Sequence, residues 1–351
     1  MKKREFSIYN LSKYRTVLMG LQILLILIFH FTEDCKVHDV RYDGWIYFFY
    51  NYIRSSGVDG FLFLSGLGLY FSLKRQPNKK VFYQKRWTKL FIPYIIVAIP
   101  VWFWIDIITK KEGVSSFLID FFFLSFFQDG QRLFWYVLMI AFCYLIFPYL
   151  FEVVDQVSDQ VSERLRTMAL CLAVIVFTVM LQLYHNDLYQ NISIALTRFP
   201  VFFVGIAIGK STYEKRNMSV YTPFVMLGIS LLLLGPLEFY NKTIFGMFIR
   251  GALNISICLV FVVILSLIDE KKDWFKIKSI IKLFTSVLEW FGKYTFELYL
   301  VHISIRRIMN TAGFKTYRLS YECLMIILSV IISIILNKFV SKKNIVLNKV
   351  K

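Results

Sequence analysis

Few ionisable residues of this sequence stand inside or beside long apolar runs, and among them His30, Asp59, Arg198, Glu297 and His302 are of types that do acid–base chemistry. An unpaired ionisable group in mid-membrane costs about 3 kcal/mol or more, so such residues face a bundle interior or a wet cavity. His30 stands about 14 residues into its run and His302 about 15 into another; at ~1.5 Å per residue both reach a similar depth. Asp59 and Ser65 open the second run from that side, and Arg198 falls in the outer third of the sixth. Imidazole is the side chain whose unperturbed pKa lies nearest neutrality, so either histidine suits a general base. Hydrogen bonding between helices is the competing account of each of these residues. His38 and His185 fall in loops and are expected to be solvated.

A second chemistry is cationic. Arg86 and Lys89 close the segment Phe82–Lys89, just before Pro93 and Tyr94, and Arg15 begins the first apolar run. Together they could clamp a phosphate-rich donor such as a coenzyme A moiety. Topology with anionic-lipid contact accounts for the same charges, and for Arg15 and Arg86 so does snorkelling. No glycine-rich phosphate loop, nucleophile elbow or metal-ligand spacing occurs, so no metal is expected. The five cysteines are odd in number and widely spaced, which suggests neither a disulfide framework nor a metal site.

The elements that must hold these residues are membrane helices. Of 351 residues 57% are hydrophobic, 18% aromatic and only 18% charged, with a mean hydropathy of +0.58. Such a chain needs lipid around it. Runs long enough for a hydrocarbon core of about 30 Å fall near 16–31, 57–73, 90–109, 133–151, 167–184, 193–209, 221–239, 246–268, 287–305 and 320–340. The expectation is an all-α, polytopic transmembrane bundle of about ten spans, one domain over 1–351. Phe117–Phe127 is too short to cross, as is the similar stretch Trp45–Ile53, and both read as interfacial or re-entrant. The first run lacks a small-residue cleavage site and is expected to remain as a span. The net charge of +18 lies in short runs between spans, which argues for topology and against nucleic acid. With both termini in the cytoplasm, inner segments hold 27 of the 41 Lys and Arg, including seven between Lys74 and Lys89. A multi-pass protein of the cell membrane, with the bilayer as its first partner, follows.

Gly57-Val-Asp-Gly-Phe-Leu-Phe-Leu-Ser-Gly66 closely resembles a signature of the membrane acyltransferase 3 family. Phe82 to Tyr94, Phe134-Trp-Tyr136 leading to Pro148, Arg198-Phe-Pro200 leading to Gly205 and Gly209, and Phe291-Gly292 through Glu297-Leu-Tyr299 to His302 resemble further blocks, in the right order over nearly the whole chain. The run ending in His30 matches as well. One departure is Met19, where the family commonly has an arginine about eleven residues before the histidine; Arg15 lies one turn further back. The resemblance implies an O-acyltransferase that moves an acyl group, usually acetyl, from cytoplasmic acyl-CoA to a hydroxyl of a surface carbohydrate. Acyl-CoA would be co-substrate, with no bound cofactor. His30 would be general base or transient acyl carrier, with His302, at a similar depth, the second catalytic candidate. Asp59 or Glu297 would orient an imidazole, and Arg198 would stabilise the oxyanion. Arg15, Arg86 and Lys89 would hold the donor, and Ser65, Trp135 and Tyr299 the substrate. A carbohydrate or lipid-linked glycan transporter, or a scaffold, would need spans and packing but no thioester cleavage.

Overall fold

In lipid every backbone N–H and C=O must find its partner inside the segment, so apolar runs of this length fold as helices. The computed structural model describes residues 4–40, 44–48, 50, 56–234, 243–270 and 275–349. Its helices are α1 Asn10–Lys13, α2 Arg15–Val37, α3 Gly44–Phe48, α4 Ser56–Arg75, α5 Lys79–Trp102, α6 Val114–Phe121, α7 Leu124–Gln128 and α8 Trp135–Asp155. There follow α9 Gln160–Tyr184, α10 Asn186–Leu196, α11 Phe199–Tyr213, α12 Tyr221–Leu234, α13 Ile244–Glu270, α14 Phe275–Lys293, α15 Thr295–Thr311 and α16 Leu319–Lys349. One small antiparallel ladder pairs β1, Glu5–Ser7, with β2, Asn217–Ser219.

Local signals start and bend these helices. Asn78 caps α5 by accepting from the Val81 N–H at 3.1 Å, and Asp159 caps α9 through Ser162 at 2.8 Å. Pro200 opens α11, where its missing N–H is not needed. Pro93 and Pro100 lie inside α5, and a π-helical turn, Phe103–Thr109, continues it. Proline removes an i→i−4 bond, and a π turn is one way the ladder resumes.

Among the described residues seven helical segments, not ten, are long and apolar enough to cross a membrane: Arg15–Val37, Lys79–Thr109, Trp135–Asp155, Gln160–Tyr184, Asn186–Tyr213, Ile244–Glu270 and Leu319–Ser341. The three expected spans outside this set differ for separate reasons. The run 57–73 is helix α4, diluted by Gly, Ser and Asp59 but surrounded by other helices. The run 221–239 is described only to Leu234, as a short apolar helix. The run 287–305 breaks at Tyr294 into α14 and α15, and the second piece carries Glu297, His302, Arg306 and Arg307. Phe117–Phe127 forms α6 and α7, too short to cross, joined at Phe123 with φ 62°. Of Trp45–Ile53, positions 49 and 51–53 lie outside the described residues, as do Lys2, Lys3 and Lys271.

Glycines set the closest crossings. A Cβ at Gly20 would stand 1.7 Å from the Leu288 carbonyl oxygen and one at Gly292 2.0 Å from that of Thr16, so α2 and α14 cross backbone to backbone. Gly66 and Gly205 do the same for α4 and α11, with gaps of 2.5 and 2.3 Å to Phe202 O and Phe63 O. Small residues at such crossings maximise dispersion contact where lipid supplies no hydrophobic drive. Around α4 the interior is apolar, with Leu62, Phe63, Leu64 and Tyr70 fully buried. On α9, by contrast, Leu165, Met168, Leu172 and Phe177 are exposed, as a lipid-facing stripe must be.

Ion pairs gather the basic segments at one end of the bundle: Lys13 with Asp269 at 2.5 Å, Lys74 with Asp155 at 2.9 Å, Lys79 with Glu152 at 2.5 Å and Arg216 with Glu163 at 2.8 Å. The histidines lie toward the opposite end.

Candidate active site

At the histidine end a cavity of about 520 Å³ opens between α2, α4, α8, α10, α13 and α15, with Arg198 at the start of α11. Three of the residues singled out for outer-site chemistry line it directly: His30, Arg198 and Trp135. Tyr299 lines it as well. Asp59 stands just behind, its Oδ1 3.1 Å from Arg198 Nε and its Oδ2 accepting from Asn254 Nδ2 at 2.8 Å. The Arg198 guanidinium lies 5.1 Å above the Trp135 ring. Its charge is thus aimed at the cavity by a carboxylate on one side and an aromatic face on the other.

His30 is held by its own helix and by α15. Glu33 and Asp34 follow it at i+3 and i+4, the spacings that share a helix face. His30 Nδ1 lies 3.4 Å from Glu33 Oε2 and 3.0 Å from Arg306 Nη1. Asp34 grips Arg306 through Nε at 3.1 Å to both carboxylate oxygens and through Nη2 at 2.5 Å, and Glu33 adds a contact at 2.9 Å. Arginine can only donate, so with Arg306 bonded the ring's Nδ1 is the acceptor and the proton sits on Nε2. With Glu33 bonded, Nδ1 carries the proton and Nε2 is free to take one from a bound hydroxyl. The two neighbours thus favour opposite tautomers, and only the second makes Nε2 a base.

His302 packs behind His30, ring centroids 5.7 Å apart, but it is fully buried and opens to neither cavity. Neither of its ring nitrogens has a partner among the described residues.

Toward the basic end a second cavity, of about 330 Å³, is lined by Arg15, Ser65, Lys89, Tyr136, Lys293 and Glu297 among others. Arg15 reaches it because Gly68 leaves room: a Cβ there would stand 2.4 Å from the guanidinium carbon. Its Nε donates to the Leu64 carbonyl at 3.2 Å. Arg86 is close enough to add its charge to that of Arg15 but does not line the cavity; its guanidinium lies over Phe82 at 5.6 Å. Glu297 accepts from Asn337 at 2.8 Å. Ser65 and Glu297 therefore belong to this cavity and not to the level of His30. Ser65 is six residues along α4 from Asp59, about 9 Å of rise. Tyr299 lines both cavities and packs edge-on to Tyr136, with centroids 5.2 Å apart.

Reading the sequence did not single out Glu33, Asp34, Arg132, Arg306, Arg307 or Lys293. A signal existed for two of these groups. The acids stand one turn beyond His30 on its own face, and the Arg306–Arg307 pair closes the apolar run 287–305 at the end opposite the densest basic segments. Arg132 and Lys293 carried no such mark. Among the described residues no cluster of His, Cys, Asp and Glu could hold a metal ion, and all five cysteines are free.

The structure is thus a bundle of apolar helices with two polar cavities, one holding His30 and the other Arg15, Lys89 and Lys293. The chain belongs to the acyltransferase 3 family: the family profile, described as an acyltransferase domain, matches residues 17–338. Comparison with curated proteins and with solved structures returns no match.

Proposed function

We propose that the protein is an O-acyltransferase that takes an acyl group, acetyl in the simplest case, from cytoplasmic acyl-CoA and places it on a hydroxyl of a cell-surface carbohydrate. The observation that carries this reading is the pair of cavities meeting at Tyr299, one lined by Arg15, Lys89 and Lys293 and the other by His30 and Arg198. The cavity of Arg15, Lys89 and Lys293 suits the phosphates of the donor, and its end of the bundle carries the basic loops that belong in the cytoplasm. The other cavity suits the acceptor. There His30 Nε2 would take the acceptor's proton, Glu33 would stabilise the resulting imidazolium, and Arg198 would face the charge growing on the thioester oxygen. Proton balance needs nothing further, because the proton removed from the hydroxyl leaves on the thiol of CoA. Purified protein given acetyl-CoA and a carbohydrate should release CoA and form an ester. Binding of sugar without CoA release would favour a transporter instead.

A further inference from the structure

The cavity around His30 is unusually rich in guanidinium. Among the described residues Arg132, Arg198, Arg250, Arg306 and Arg307 line it, and the only acid lining it is Glu33. Asp59 and Asp34 stand behind and engage Arg198 and Arg306. Counting these two, the described residues set three carboxylates against five guanidinium groups. Arg132 and Arg307 have no carboxylate within ion-pair distance among the described residues; the Arg132 guanidinium donates to the Gln190 carbonyl, at 3.4 Å. The buried Nε of half-buried Arg307 has no hydrogen-bond partner among the described residues. These arginines also sit at the end opposite the basic loops, where membrane topology disfavours cations. Helix packing accounts for Arg306, locked onto Asp34, but not for Arg307. A planar fork with free N–H groups, in a wet cavity with net positive charge, matches a carboxylate or phosphate.

We infer that the acceptor carries an oxyanion, a carboxylate or a phosphate, near the hydroxyl that is acylated, and that Arg307 and Arg132 bind it. This rests on the proposed transferase reading. The same chemistry could instead come from a distal carboxylate on the acyl group, as in a dicarboxylic acyl-CoA, and the experiment separates the two. Full-length protein in lipid nanodiscs is assayed for CoA release with methyl β-glucuronide, methyl β-glucoside 6-phosphate and neutral methyl β-glucoside, each with acetyl-CoA and with succinyl-CoA. Binding of the three glycosides is measured separately by calorimetry. The expected result is a kcat/KM at least tenfold higher for a charged glycoside than for the neutral one, with that ratio falling about tenfold in Arg307→Gln and partly restored in Arg307→Lys. Arg132→Gln, on an exposed loop, lowers the same ratio and stands in if Arg307→Gln misfolds. Equal rates on charged and neutral glycosides overturn the inference. A preference for succinyl-CoA, indifferent to the glycoside and lost in Arg307→Gln, overturns it by assigning the arginines to the acyl group. If no glycoside gives CoA release, tighter binding of the charged glycosides that Arg307→Gln abolishes upholds the anion site while the transferase reading falls; equal binding overturns both.

Discussion

His30 stands between two partners that ask opposite things of it. Arg306 at 3.0 Å favours a proton on Nε2, and Glu33 at 3.4 Å favours one on Nδ1. If His30 is the base, His30→Gln should insert normally and lower transfer by about 10²-fold or more, because an amide replaces ring hydrogen bonds but accepts no proton. A His30→Gln protein that acylates near the wild-type rate would take His30 out of the mechanism. The neighbouring acids separate orientation from architecture. Glu33→Gln removes the group that favours the productive tautomer and should lower kcat with little change in thermal stability. Asp34→Asn leaves Arg306 without its main partner in a largely buried place, and breaking such a pair costs about 3–5 kcal/mol. It should therefore lower the melting temperature as well. Equal melting shifts for the two variants would refute this division.

The helices position these groups through a few crossings where backbones touch. The ideal Cβ positions at Gly20 and Gly292 overlap a carbonyl of the facing helix, so α14 cannot stay on α2 if either glycine gains a side chain. Gly292→Leu should cost about 1–3 kcal/mol or more through overpacking. Gly228→Leu, at a helical glycine with open space around it, should cost little. Similar thermal melting for the two would show that the crossing does not hold the bundle together. The donor cavity is likewise built by elements, since Arg15 on α2 reaches it through the gap at Gly68 on α4. Lys89→Ala, or Arg15→Ala, should raise the apparent KM for acyl-CoA more than Arg86→Ala does, because Arg86 lies beside the cavity and not in its wall. An Arg86→Ala effect larger than both would reverse that order.

For the molecule as a whole, the proposed orientation puts residues 74–89 in the cytoplasm and residues 185–190 outside. Lys80→Cys and Asp187→Cys, both at exposed positions, should label with a membrane-impermeant thiol reagent from opposite sides, and labelling from one side would discard the topology. Helical membrane architecture was legible in composition and run length alone, because lipid leaves an apolar segment no other way to satisfy its backbone. The family blocks were legible as well, and His30 stood out as a cavity candidate since few ionisable residues stand within apolar runs. Depth counted along the chain placed His30, Asp59 and Arg198 together; His30 and Arg198 line one cavity, and Asp59 stands behind it, paired with Arg198. The same counting failed for Ser65, which lines the other cavity; it put His302 at the level of His30, where the two rings lie 5.7 Å apart, but could not show that His302 is sealed behind it. Linear position measures rise along a helix but not the direction a side chain takes, nor a break such as that at Tyr294. The partners of His30 required packing to be known: Arg306 is 276 residues away from it, and only the docking of α15 on α2 sets its charge against the ring and leaves that of Arg307 free to face the cavity.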